Sequence, residues 1–147
     1  MPNWREPTEA DLAATLSQDE VDAYRAGGPV DGSDPVASLL RDTAALVRGR
    51  IASGGRCAKW GPGWSIPAGL MIPAMDYAMA KVLNRQNLPL SEDRRDALKN
   101  AEDLFTKLAA GEIGVEPYAE EGEEDDPSQD VAGSPSFADA QPTRLLD

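Results

Sequence analysis

The chain has no histidine and a single cysteine, Cys57, among its 147 residues. Histidine is the commonest general base and metal ligand, and one cysteine can form neither an internal disulfide nor a paired thiolate metal site. Aromatic residues make up 5% of the sequence. No apolar run approaches the roughly 20 residues of a membrane span, and the N-terminus lacks a signal-peptide pattern. These absences predict a soluble protein that stays where it is made, is not an enzyme and uses no cofactor or metal.

Two further features fit this prediction. The glycine-rich stretch GGRCAKWGPG contains Lys59 but lacks the G-x-x-x-x-G-K-[ST] order of a phosphate-binding loop. The carboxylates toward the C-terminal half occupy positions typical of a solvated helix face rather than of a catalytic pair. They are Glu92, Asp93, Asp96, Glu102 and Asp103.

Basic residues are scarce, and the net charge of −12 is unevenly distributed. Residues 116–147 hold ten acids and one arginine, whereas residues 1–115 hold sixteen acids and thirteen bases. Residues 41–99 alone are mildly basic, with ten bases and five acids. Because the acidic segment repels phosphate, free nucleic acid is not the expected partner of the whole protein.

Hydrophobic periodicity predicts helices, and the longest covers residues 34–53. Asp34 is a good N-cap, Pro35 suits the first helical position, and Gly54 and Gly55 follow the last turn. One apolar stripe along this helix is predicted to be buried: Val36, Leu39, Leu40, Ala44, Val47 and Ile51.

Four more helices are predicted around this one. Two short helices follow Thr8 and Ser17, one lies in IPAMDYAMAKVLNRQN, and the last follows Ser91. Their expected buried residues are Leu12, Leu16, Val21, Tyr24, Met75, Ala78, Met79, Val82, Leu83, Leu98, Ala101, Leu104, Phe105 and Leu108. No stretch alternates long enough to require a strand. The predicted fold is all-α: a small bundle of four to five helices with a long Gly/Trp-rich loop and an extended acidic C-terminal tail.

The Gly/Trp-rich loop is the first candidate binding site. It carries Arg56, Lys59, Trp60 and Trp64, and Trp and Arg are enriched at binding hot spots. Three interpretations stay open: contact with a partner protein, which we favour, tryptophans folded back onto the core, and contact with nucleic acid. Under the first interpretation, Trp60→Ala leaves the fold stable and weakens assembly.

The acidic tail is the second candidate. Residues 116–147, taken as an arm separate from a helical domain 1–115, bury too little apolar surface to offset their ordering entropy. The arm either keeps the protein in solution or lies along a neighbouring protein. In the second case Glu120 and Glu121 are charged contacts, and Phe137, Leu145 and Leu146 are apolar anchors.

Several patterns in the sequence resemble a known family. T-x-x-D-L and LSxxE precede a DPxxxLLxDTAALVxGRI helix, which is followed by IPxxLxxPAMDYA and by RRxALxNAExLxxxLAxGE. Together they resemble the small helical head-completion adaptors of tailed phages, the Mu-like and related head-to-tail connector proteins. The resemblance covers roughly residues 4–115 and omits the acidic arm. The Trp-rich loop also departs from the plainer members.

The resemblance implies a structural subunit at the virion neck, made in the host cytoplasm. Such subunits form a homo-oligomeric ring, of twelve copies by that resemblance, beneath the portal protein. The ring extends the DNA channel without sequence-specific DNA binding, has no membrane partner, and offers a platform to the stopper or tail protein. Gene-transfer particles use the same kind of part. The alternative is a regulatory or packaging-associated protein, either an acidic DNA mimic that inhibits an enzyme or an accessory that touches DNA through the basic middle.

Overall fold

The computed structural model describes residues 2–28 and 32–120, and within them the chain forms five α-helices. Their bounds are Glu9–Thr15 (α1), Gln18–Ala26 (α2), Pro35–Gly54 (α3), Met71–Arg85 (α4) and Glu92–Ala109 (α5). A single 3-10 turn, Ala68–Leu70, leads directly into α4. The all-α prediction is confirmed.

Side-chain caps start four of the five helices at the residues that the sequence indicated. Thr8 forms a capping box with Asp11, and Ser17 forms one with Glu20. The carboxylate of Asp34 accepts from the backbone N–H of Val36, and Ser91 caps α5 in the same way. These caps satisfy N–H groups that have no partner within the helix.

The core lies between α3 and α4, and each of these two helices packs against all four others. The whole predicted stripe of α3 is buried, together with Thr43, whose hydroxyl donates to the Leu39 carbonyl at 2.8 Å. The predicted buried residues of α1, α2 and α4 are also buried. On α5 the prediction is only partly right, because Leu98 and Leu104 are half-buried while Ala101, Phe105 and Leu108 are buried.

The C-terminal ends of α3 and α5 approach each other closely at a glycine. A Cβ on Gly54 would lie 2.0 Å from the Leu108 carbonyl oxygen, so no larger residue fits there without a shift of the backbone. Gly55 then ends α3 with φ of 67°, in the left-handed region that glycine enters at low cost. The two glycines that the sequence marked as a helix stop therefore have different roles.

A two-stranded antiparallel sheet, which the sequence did not predict, joins the N-terminus to the Trp-rich loop. β1 (Trp4–Arg5) pairs with β2 (Ile66–Pro67) in the register Trp4↔Pro67 and Arg5↔Ile66. Strands of two residues are too short to produce an alternating pattern. Among the described helices, none combines the length and the apolarity needed to cross a bilayer.

One compact unit runs from Asn3 to Tyr118. Residues Glu116–Tyr118, which the sequence analysis grouped with the acidic arm, belong to this unit. A second unit contains Pro2 and the residues from Ala119 onward, of which the structure describes only Ala119 and Glu120.

Ion pairs connect elements that are distant in the sequence. Arg94 on α5 binds the carboxylate of Glu20 on α2 through two hydrogen bonds of 3.0 Å each. This guanidinium lowers the pKa of Glu20 from its ordinary 4.5 to about 2, and the backbone N–H of Ser17 adds to the effect. Arg5 binds Asp11 with two bonds of 2.7 Å, and lowers the pKa of Asp11 to about 2.

Truncating the core should lower the free energy of unfolding. We expect Val47→Ala to cost about 1–3 kcal/mol and Leu40→Ala about 2–4 kcal/mol, because each leaves a cavity beside α4 or the loop. Ile72→Ala is the control, since Ile72 is 75% exposed and should change stability by less than about 0.5 kcal/mol. Urea denaturation followed by circular dichroism measures all three. A loss for Val47→Ala no larger than for Ile72→Ala would contradict the described core.

Stability should fall in acid because the Glu20 carboxylate is stabilised in the folded state. Its pKa is lowered, so its contribution is complete above about pH 4.5 and is lost as the pH falls toward about 2. Glu20→Gln keeps an acceptor for Ser17 but removes the charge, and should cost about 1–2 kcal/mol at pH 6. The difference between the variant and the natural protein should vanish near pH 2. A difference that is independent of pH in urea titrations would refute the role of the charge.

Candidate functional site

The Trp-rich loop is held against α3 by one arginine. Arg48 lies on the side of α3 that faces the loop, and its guanidinium donates to the carbonyl oxygens of Ser65 at 2.6 Å and Gly61 at 3.3 Å. These two bonds fix the second half of the loop next to the helix. The loop therefore has a defined position, although it has no periodic sequence pattern.

The same guanidinium lies against two indoles. It is 5.0 Å from the ring centroid of Trp60 and 5.9 Å from that of Trp4, which is within the range of a cation–π interaction. The two rings are 5.7 Å apart in an edge-to-face arrangement, with an interplanar angle of 69°. Trp4 is 1% exposed and Trp60 is 37% exposed. Trp4 thus belongs to the core, and Trp60 lies at its surface.

The segment that follows α5 closes this cluster from another side. The indole N–H of Trp4 donates to the Glu116 carbonyl at 2.9 Å, and the Asn3 side chain donates to the Pro117 carbonyl at 2.8 Å. The backbone N–H of Tyr118 donates to the Lys59 carbonyl at 2.9 Å. The N-terminus, the loop and the segment after α5 are therefore connected through hydrogen bonds.

The four loop residues predicted to bind a partner have different surroundings. Arg56 donates to the Gly111 carbonyl at 3.2 Å, and the Lys59 ammonium lies 5.7 Å from the ring of Tyr118. Trp60 contacts Trp4 and Arg48, as described above. Two cations and one indole thus have contacts within the protein, and Trp60 keeps 37% of its surface exposed. Which of the three interpretations applies stays a prediction.

Trp64 is the most open of the four. It is 44% exposed, and its backbone N–H donates to the Glu6 carboxylate at 3.2 Å. Its ring borders a cavity of about 150 Å³ that also involves Leu40 and Arg41. Among the described residues, none forms a ring contact with this indole.

The arm residues are mostly outside the described part of the chain. Glu120 is described and exposed. The other predicted arm contacts lie outside the described residues: Glu121, Phe137, Leu145 and Leu146. Their role stays a prediction from the sequence.

A larger concavity, lined by both polar and apolar groups, lies elsewhere, between α4 and α5, and no sequence pattern predicted it. We call it the α4–α5 groove; its volume is about 450 Å³, and its apolar lining is Tyr77, Ala80, Leu88, Pro89, Leu90 and Leu98. The polar part of the lining is Lys81, Asn84, Arg95 and Glu102. The segment Leu88-Pro89-Leu90 could have indicated this groove. Leucines in a connector are not part of a helix stripe that packs into the core, so they are available to line a surface groove.

A second cavity, of about 370 Å³, lies between α2, α3 and α4 and shares Tyr77 and Lys81 with the groove. Its cations are engaged: the Arg85 guanidinium lies 4.8 Å from the ring of Tyr24 and donates to the Gly27 carbonyl at 2.6 Å, while Lys81 lies 5.4 Å from the Tyr77 ring. This arrangement supports the packing of α4 against α2. In residues 2–28 and 32–120 no group of three or more acidic or cysteine side chains could hold a metal ion.

No protein-family model, curated protein or solved structure matches this chain. The resemblance to head-to-tail connectors therefore depends on the sequence patterns alone, and what it implies about function is a proposal.

The sequence alone led us to expect that Trp60→Ala leaves the fold stable. Because Trp60 contacts Trp4 and Arg48, we now expect a loss of stability. Trp60→Ala should lower the free energy of unfolding by about 1–2 kcal/mol, because it removes the edge-to-face pair with Trp4 and a cation–π contact with Arg48. Trp64→Ala is the matched control and should cost less. Urea denaturation followed by far-ultraviolet circular dichroism compares the two. Equal losses would mean that the Arg48 cluster does not stabilise the loop.

Proposed function

We propose that this protein is a structural connector subunit at the neck of a phage or gene-transfer particle. Copies form a ring beneath the portal protein, extend the channel through which DNA passes, and present a platform to the stopper or tail protein. The subunit performs no catalysis. Its role is to fit several protein surfaces at once.

The proposal depends on the sequence patterns that resemble head-to-tail connectors. In the fold, these patterns coincide with the ends of helices. T-x-x-D-L and LSxxE contain the capping boxes of α1 and α2, and the DP pair contains the N-cap and first residue of α3. The glycine of the last pattern follows α5 with φ of 77°. The patterns thus describe where helices start and stop and which faces are buried, so they support a shared fold more directly than a shared partner.

Exposed apolar side chains on the described surface support a role in assembly. Ile72 is 75% exposed, Leu88 45% and Trp64 44%. They lie on different elements and do not form one large apolar face, as an obligate dimer would need. We therefore expect an isolated protein that is a monomer or a weak oligomer, and that becomes a ring on its portal.

The acidic arm is a second surface through which the subunit would bind a partner. Residues 120–126 contain six acids in seven positions, so a partner surface with Arg or Lys would attract them. Because coupled ordering of such a segment depends on charge, incorporation through the arm should weaken as salt rises.

The test compares the purified protein alone and with the portal protein encoded in the same genome. Sedimentation should give a small species alone and a ring-sized complex with the portal, and negative-stain images of that complex should show an added ring. Deletion of residues 119–147 should leave the helical content unchanged but reduce incorporation, most clearly at low salt, where the charged contact of the arm is strongest.

Two outcomes would contradict the proposal. A stable, large homo-oligomer without any partner would refute portal-dependent assembly. Absence of portal binding, with inhibition of a DNA-processing enzyme instead, would favour the regulatory alternative. If the truncated chain assembles as well as the full one, the arm only keeps the protein in solution.

A further inference from the structure

The segment between α5 and the acidic arm packs against the domain without forming a helix or a strand. We call residues 113–118 the strap. Its three large apolar side chains, Ile113, Val115 and Tyr118, are half-buried against the core. Gly111, which precedes the strap, has a φ of 77° and ends the helical path of α5. The strap is therefore connected to α5 through a glycine turn.

The far end of the strap is held through its own main-chain atoms by residues that lie outside every helix. The three hydrogen bonds are from Trp4 Nε1–H to the Glu116 carbonyl at 2.9 Å, from the Asn3 side-chain amide to the Pro117 carbonyl at 2.8 Å, and from the Tyr118 backbone N–H to the Lys59 carbonyl at 2.9 Å. Because none of these bonds belongs to a helix, the strap can separate from the domain while the hydrogen bonds of the helices persist.

A cavity of about 360 Å³ lies between the middle of the strap and the start of the Trp-rich loop. Its lining is residues 55–58 on the loop side and Gly114, Val115 and Pro117 on the strap side. Cys57 is half-buried in this lining, and its thiol donates to the Lys59 carbonyl at 3.3 Å. The thiol and the backbone N–H of Tyr118 thus share one acceptor, so the strap and Cys57 meet at the same point.

The closed strap engages groups of the N-terminus and of the loop. Trp4 is 1% exposed, and the one polar atom of its side chain is bound to the strap. Lys59 contacts Tyr118 twice, through its carbonyl and through its ammonium, which lies 5.7 Å from the ring centroid. Lys59 is also one of the residues predicted to bind a partner. Separation of the strap would return these groups to solvent.

We propose that the strap opens as one unit while the five helices stay folded, and that its opening exposes the thiol of Cys57, the indole N–H of Trp4 and the carbonyl of Lys59. The base of the strap stays in place, because Arg56 donates to the Gly111 carbonyl at 3.2 Å. The strap is thus a detachable cover over the inner side of the Trp-rich loop. This inference goes beyond the proposed function and does not require the portal.

The experiment uses the thiol of Cys57, the single cysteine of the chain, as the reporter of opening. The full chain is mixed with Ellman's reagent, and the modification rate is followed by absorbance. In the folded chain the thiol should react about tenfold or more slowly than in the chain unfolded by urea, since it reacts from the open state. Low urea should change the rate little, because opening of the strap exposes little surface. A folded chain that reacts as fast as the unfolded one would overturn the inference.

Variants that remove one hydrogen bond of the strap should speed the reaction. Asn3→Ala removes the donor to the Pro117 carbonyl and should raise the rate about threefold or more. Trp4→Phe keeps an aromatic ring, removes the donor to the Glu116 carbonyl and should act in the same direction. Asn100→Ala is the matched control, the same change at an exposed residue of α5, and should leave the rate unchanged.

Circular dichroism and urea denaturation separate opening of the strap from unfolding of the whole domain. The faster reaction should appear at urea concentrations at which every variant keeps its helical signal. Rates that rise steeply with urea and follow the global stability of each variant would refute a separate opening, and so would equal rates in Asn3→Ala, Trp4→Phe and Asn100→Ala. None of these measurements involves the portal, so this inference and the proposed function can fail separately.

Discussion

The position of Arg48 between two indoles is the interaction on which the rest of the surface depends. Its guanidinium binds two loop carbonyls and lies against Trp4 and Trp60, so one side chain of α3 fixes the loop and the N-terminal strand together. Because Trp4 in turn donates to the carbonyl of Glu116, the segment after α5 is held at the same place. A chain with few aromatic residues thus uses two of them to join three segments that its helices do not connect.

The surroundings of Arg48 differ from those of the connector between α4 and α5. Arg48 binds the carbonyls of Gly61 and Ser65 in the loop, whereas Trp64 remains 44% exposed. In the connector between α4 and α5, Leu88 is 45% exposed and lines the same groove as Leu98. The proposed function as a ring subunit would use open apolar positions at separate places, because a ring needs two different surfaces on each copy.

The helices could be predicted in detail because their signals are local. A capping residue such as Ser17 bonds to a backbone N–H three residues away, and an apolar stripe repeats within two turns, so both are visible in a short stretch. The candidate site could not be predicted in the same way. Trp4 stands in a stretch without apolar periodicity, and its contacts with Arg48 and Glu116 are with residues 44 and 112 positions away. Leu98 follows the stripe of α5, but whether it is covered depends on where the connector turns.

By itself, the sequence determined the fold class, the starts of the helices, the buried stripe of α3 and the concentration of negative charge at the C-terminal end. These properties depend on neighbouring residues and on composition. Only the tertiary structure decided that Trp4 is core, that Arg48 organises the loop, and that a groove remains between α4 and α5. These features depend on contacts between residues far apart in the chain, whose distances follow from packing and leave no periodic trace in the sequence.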